Sequence, residues 1–439
     1  IDTASAKGKN GSWLIDPVGF TIAKTGGDLD EATLNAALAR GDVVISTSTA
    51  LSGNGVIVVN GTADTGGAVS IVNTSGAQRT FALYTDGSIQ LHAGSQIAGS
   101  SGSPLNVTLY APAGNTLAGT INNAGGVTTL TGPTAFSGVL RNGTLTTSST
   151  VTSNWGTLDG VTLGGSSLSL NGSLWIQNGM KLANGATVST DAGEWRFGDQ
   201  GTPSLTMGSN GSATLTKAGG TLGIYGKTGT SLTIGSGVTI NGYTNLYHWS
   251  ANNQWINNGT IDATVAGQTI NLAPWGNNQT IVNSGILRAS GGTLTLTGNW
   301  SNTGQISVTN GSLILAGTWS NAGQISVTGG ALNLQGTFTL ADITAPGRLS
   351  RTGGALNLDV ELNLGGSTLD IGAATFGTGG LSQVNGTLKN GTIVSGDGTP
   401  LTLADNKHNL DGITIGSNLT VLGHAGIWGG LNLANGVTV

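Results

Sequence analysis

The chain has 439 residues, of which only 8% are charged, with 77 glycines, no cysteine and a formal net charge of −5. An ordinary soluble domain carries ~25% charged residues, so the surface here must be made of Thr, Ser, Asn and Gly. Scattered Lys and Arg leave no basic footprint for nucleic acid or an anionic membrane, no apolar run approaches the ~20 residues of a membrane span, and the absence of cysteine leaves the compartment open.

Residues 1–50 hold the one convincing helix, near 29–40. Asp28 or Asp30 can cap it, Leu34, Ala37 and Leu38 form an apolar stripe, and Gly41 follows Arg40 at its end. Val43-Val44-Ile45 then returns to strand, so the helix is expected as a short excursion lying on a β structure.

The same region carries a family likeness. Gly11-Ser12-Trp13-Leu14-Ile15-Asp16-Pro17, Phe20-Thr21-Ile22, Gly26-Gly27-Asp28 and the run from Leu34 through Leu38 to Gly41-Asp42-Val43-Val44-Ile45 resemble the filamentous-haemagglutinin-like exoproteins, giant bacterial adhesins of the two-partner secretion type. Asp86-Gly87-Ser88-Ile89 and the stretch Gly99 to Leu109 are similar to the repeats that follow in such proteins. The resemblance covers roughly the first 110 residues. It implies a right-handed β-helix, an outer-membrane secretion partner and a place at the bacterial cell surface. None of the eight prolines follows Asn, whereas the family's secretion domain carries Asn-Pro motifs, so that domain is not expected in this chain.

Further along, tryptophans recur. Trp155, Trp175 and Trp195 are 20 apart, as are Trp255 and Trp275, which suggests a coil of about 20 residues and about 22 coils. At ~4.8 Å per coil this predicts a rod on the order of 100 Å. The pattern is sharpest from Gly298 to Val327. Gly298-Asn299-Trp300-Ser301-Asn302-Thr303-Gly304-Gln305-Ile306-Ser307-Val308 returns 19 residues later from Gly317, and Gly336-Thr337-Phe338 opens a third copy. Within a copy, apolar residues alternate in three short runs broken by Asn and Gly, as three strands and three bends of one parallel β-helix coil require. Trp300, Trp319 and Phe338 are expected to stack as an aromatic ladder, and Asn283, Asn302 and Asn321 as an amide ladder. The expected fold is therefore a right-handed parallel β-helix, its hand resting on the family likeness and on the preference of parallel crossovers.

A longer repeat overlies the short one. Leu158 to Gly164 returns as Leu410 to Gly416, and Leu182 to Val188 as Leu433 to Val439, at offsets of 252 and 251. This divides the chain into residues 1–135, a long repeat at 136–385, and the start of another at 386–439. Nothing like a signal peptide opens the sequence, and the chain is expected to be part of a longer tandem array that continues with something like Ser189 to Trp195.

Two constellations are candidates for chemistry. Asp191, Glu194, Arg196 and Asp199 form the densest ionisable cluster, readable as acid–base or calcium-binding carboxylates or as a solvated turn beside Trp195. Tyr243, Tyr247, His248, Trp249 and Trp255, mixed with Asn241, Asn245, Asn252 and Asn253, are readable as a glycan platform or subunit contact, or as a loop packed on the coils with Trp255 in the ladder. Gly226-Lys227-Thr228 lacks the first glycine of a phosphate loop, and His92, His248, His408 and His424 lack metal spacing. Asn-X-Ser/Thr triplets such as Asn142-Gly143-Thr144 are what the composition alone would produce. No metal or other cofactor and no enzymatic activity is expected. The expected role is an extracellular adhesin or stalk that attaches to cell-surface glycans or another cell. A subunit of a self-assembling filament, by end-to-end or lateral association, is the alternative, and a polysaccharide-active enzyme ranks last.

Overall fold

A computed structural model describes residues 13–14, 19–47, 55–198, 200–272, 279–404 and 409–439. Strands make up 54% of the chain and helices 4%, and the strands stack in parallel as a β-solenoid of about 15 turns spaced by about 23 residues. The fold class is as expected, but the coils are longer and fewer than the 20-residue spacing implied. The chain divides into two compact units, residues 1–227 and 228–439.

In the second unit the three-strand coil is regular. One column stacks Gln254–Asn257, Thr280–Asn283, Asn299–Asn302 and Thr318–Asn321. A second stacks Thr260–Ala263, Ile286–Ala289, Gln305–Val308 and Gln324–Val327, and a third runs from Thr269–Leu272 through Thr293–Leu296 and Ser312–Leu315 to Ala331–Leu334. Each strand points alternate residues inward, so Leu287, Ile306 and Ile325 share one buried row and Leu294, Leu313 and Leu332 another.

Both expected ladders are present. Trp300 stacks on Trp319 at 4.9 Å between ring centroids and 7° between planes, and Trp319 stacks on Phe338 at 4.4 Å. Each indole N–H donates to a backbone carbonyl, Trp300 to Ala316 (2.8 Å) and Trp319 to Gln335 (2.9 Å), so no polar atom is stranded by burying the rings. Asn283 donates to Asn302 (2.6 Å) and Asn302 to Asn321 (2.7 Å). The amide ladder begins one coil earlier than expected, with Asn257 donating to Asn283, and ends where Asn321 donates to the Asp342 carbonyl. The corner after each coil needs glycine. Gly317 has φ +82°, and a Cβ there would stand 2.0 Å from the Gly298 carbonyl oxygen.

The helix near 29–40 is α1, Glu31–Arg40, capped by Asp30, whose carboxylate accepts from the Thr33 N–H. Leu34 and Leu38 are buried, and Glu31 and Asn35 bond backbone groups of the strand Ser70–Asn73, so the helix covers an otherwise open strand edge. Gly41 is extended, with φ −168°, and ends the helix without a left-handed turn. Two further helices were not expected, α2 at Ala341–Thr344 and α3 at Ala373–Phe376. Both are corner excursions that lengthen their coils. Arg351 is buried beside the second, where its guanidinium donates to the carbonyls of Gly354 and Gly380 and to the Ser382 hydroxyl.

The first unit is less regular. Its early coils also have three strands each. Then Val151–Leu163 pairs in turn with Thr134–Phe136, Val139–Arg141 and Thr144–Thr147, taking the corners as register shifts at Asn154/Gly156 and Asp159/Val161. One short segment of the sequence repeat pairs alike in its two copies. Leu158, Val161 and Leu163 pair with Ile176, Met180 and Leu182, and Leu410, Ile413 and Ile415 pair in the same pattern with Ile427, Leu431 and Leu433. Most of the resembling segment Gly11 to Pro17 lies outside the described residues; Trp13–Leu14 pairs in parallel with Val43–Ser46.

Candidate functional site

The alternation of strand Val238–Leu246 decides the fate of the aromatic segment at 243–255. Val238, Ile240, Thr244 and Leu246 point inward, which leaves Tyr243 half-buried on the outer side. His248 continues the inward row. It is fully buried and stacks on the buried Trp255 at 5.0 Å and 13°. Burial pushes its imidazole pKa down to about 3, against a weaker opposing contact with the Gln254 backbone. Trp255 shares a register with Ile281 and hence with the Trp300 row, so it belongs to the core.

The five-residue platform is therefore two separate things. His248 and Trp255 pack the core; Tyr243, Tyr247 and Trp249 remain partly outside, with the last two rings 4.2 Å apart. The amides divide as well, with Asn245 and Asn252 exposed and Asn241 half-buried. Asn253 is buried and accepts from the Thr230 N–H, and Asn252 takes the left-handed backbone of the bend. Gln279 donates to the Ser250 carbonyl at 2.7 Å, which pins the turn from the next coil.

The ionisable cluster is likewise bound up locally. Asp191 accepts from the N–H groups of Gly172 (2.8 Å) and Gly193 (2.9 Å), which shapes a corner. Glu194 pairs with Arg196 at 2.8 Å, and Asp199 lies outside the described residues. Beneath them sits Lys217, fully buried, its Nζ donating to the Gly193 carbonyl and lying 5.2 Å from the Trp195 ring. Burial lowers its pKa to about 8, and the Asp191 charge works the other way. Among the described residues no group of three or more His, Asp or Glu could hold a metal ion, and no helix is long and apolar enough to cross a membrane.

The tryptophans at 155, 175 and 195 are not equivalent, which corrects the spacing argument. Leu174 pairs with Trp195 and Trp175 pairs with Arg196, so Trp195 is in the core while Trp175 and Arg196 face outward. Trp155 falls in the register shift between Asn154 and Gly156, with φ +57°, and is exposed. Trp275 lies outside the described residues. The outcome is a surface group that the spacing concealed. The Arg196 guanidinium carbon lies 4.3 Å from the Trp155 ring centre, 4.4 Å from Tyr225 and 5.4 Å from Trp175. Trp175 meets Trp155 at 5.9 Å and Tyr225 edge-on at 5.2 Å. Strand parity held the signal: Leu174 and Ile176 inward put Trp175 outward, and Trp195 and Phe197 inward put Arg196 outward.

No protein-family model, curated protein or solved structure matches the chain.

Proposed function

We propose that the chain is a segment of a large secreted bacterial cell-surface protein, a stiff β-helical stalk that mediates attachment to surfaces or cells without enzymatic activity. The observation that carries this reading is the in-register stacking of asparagine from 257 to 321 and of aromatic rings from 300 to 338, with each of these coils bonded to the next through side chains as well as backbone. Such a scaffold grows by adding coils and resists bending at each one, as a stalk requires. Its outer faces, poor in charge, suit contact with hydroxyl-rich surfaces rather than with polyions. The likeness of residues 1–110 to two-partner exoproteins supports export through an outer-membrane partner.

Immunogold electron microscopy of intact native cells, with antibody raised against this chain, tests the reading. Gold standing outside the envelope is expected, and label confined to the cytoplasm would overturn it. The alternative reading is a subunit of a self-assembling extracellular filament. Regular filaments with a subunit repeat in the same micrographs would put that reading first.

A further inference from the structure

The outward aromatic group of the first unit is an arrangement that coil stacking does not demand. Trp155 is 36% exposed and Tyr225 37%, in a chain where aromatic residues are only 5% of the total. Trp155 also holds a left-handed backbone, which a bulky side chain rarely adopts and which costs stability. Glycine or asparagine would fit that position without strain, as asparagine does at positions 142, 178, 252 and 390. The contact with Arg196 returns part of the cost, yet it uses one face of the indole and does not require the ring to remain open to solvent.

We propose that Trp155, Tyr225 and the Arg196–Glu194 pair form a binding platform for the pyranose rings of a neutral glycan. Three features select that class of ligand. The solvent-exposed parts of the Trp155 and Tyr225 rings match the apolar C–H face of a pyranose, which stacks on indole and phenol planes. The cation position among the three rings is already filled by Arg196, so a lysine or quaternary ammonium ligand finds no place there. Arg196 is itself paired with Glu194 at 2.8 Å, so the platform has no net charge to attract a polyanion, while guanidinium and carboxylate provide a donor and an acceptor for sugar hydroxyls. Paired strands hold Arg196 and Glu194, the partners of Trp175 and Thr221, and Tyr225 follows directly on the strand Ala213–Ile224 with its N–H donating to the Phe197 carbonyl at 2.9 Å.

This platform deepens the attachment reading, but it is tested separately from it, because a purified protein binds sugar or does not wherever it is found in the cell. The full chain would be run in native gels containing galactomannan, xyloglucan, mannan or dextran, and in parallel gels containing hyaluronan or heparin. The platform predicts retardation by at least one neutral polysaccharide, weakened about tenfold or more in Trp155→Ala and in Tyr225→Ala. Tyr110→Ala removes an equally exposed ring from another coil and should leave retardation unchanged. Trp155→Gly, which suits the backbone, replaces the alanine variant if that one unfolds. Retardation by no neutral polysaccharide overturns the proposal, as does retardation only by the acidic polymers or retardation that survives both substitutions.

Discussion

Residues 254–338 and residues 151–225 both stack coils of a parallel solenoid, but they place tryptophan on opposite sides of the wall. In the first region Trp255, Trp300 and Trp319 face inward, in register. In the second, only Trp195 is inside, while Trp155 and Trp175 lie outside around an arginine. The difference traces to coil geometry. Two nearly identical 19-residue coils keep every residue in its column, so Trp319 falls on Trp300 and Asn321 on Asn302. Bulged strands such as Val151–Leu163 lose that identity and release side chains to the surface. Regularity makes a scaffold, and departure from it makes a place where something can bind.

The largest test of the comparison is removal of an inner ring. Trp319→Ala takes a 4%-exposed side chain from between Trp300 and Phe338 and should cost about 3–5 kcal/mol. Equilibrium denaturation in guanidinium, followed by circular dichroism, measures it. A loss below about 1 kcal/mol would mean that the stack is ornamental and that the backbone ladders suffice. The amide ladder comes next. Asn302→Ala deletes a donor and an acceptor from a buried chain and breaks the ladder bonds to both Asn283 and Asn321, so about 2–3 kcal/mol is expected, more than the loss of a single exposed hydrogen bond. The same substitution at Asn122, an outer-facing amide that accepts from Asn142 at 3.2 Å, should cost less than about 1 kcal/mol.

Each region also buries one base against a tryptophan, His248 on Trp255 and Lys217 by Trp195, and the two should be separable by pH. Both pKa values are depressed by burial, so in each case the unfolded chain binds the proton more readily. Stability is then greatest above the unfolded pKa and falls as pH drops towards the folded value. For His248 the window runs from 6.5 down to about 3, and for Lys217 from 10.5 down to about 8. Between pH 6.5 and 5, His248 should account for a loss of about 2 kcal/mol, seen as the difference between the native chain and His248→Phe. Lys217→Met should raise stability at pH 7 by about 1–3 kcal/mol and flatten the alkaline rise. Identical pH profiles for variant and native chain in either window would show that the base in question is solvated.

What could be read in advance follows the same division. The Trp300 and Asn302 ladders were legible because two coils are nearly identical, so equal spacing meant equal position. The extension to Asn257 was hidden because that coil is longer, with 26 residues between the paired amides. Equal spacing misled at Trp155, which falls in a register shift, and at Trp175 and Trp195, where the coil is 21 residues long and Trp195 lands on Leu174. Parity was the better guide throughout: His248 lies two residues after the buried Leu246, and that alone places it inside. The short helices α2 and α3 gave no signal, since four residues without a side-chain cap carry neither period nor start.

The smallest effect is the most discriminating. Trp155→Gly removes the contacts with Arg196 and Trp175, worth about 1–2.5 kcal/mol together, and relieves a left-handed backbone that costs a bulky residue about 1–2 kcal/mol. These nearly cancel, so the variant should unfold within about 1 kcal/mol of the native chain, whereas Trp155→Ala keeps the strain and should be the less stable of the two. That order is opposite to the one expected at an ordinary strand position, where glycine costs more than alanine. If Trp155→Gly instead lost as much as Trp319→Ala, the outer rings would be part of the wall and the contrast between the two regions would fail. Equal stability of Trp155→Gly and the native chain would mean that the strained backbone at Trp155 is not kept for the fold.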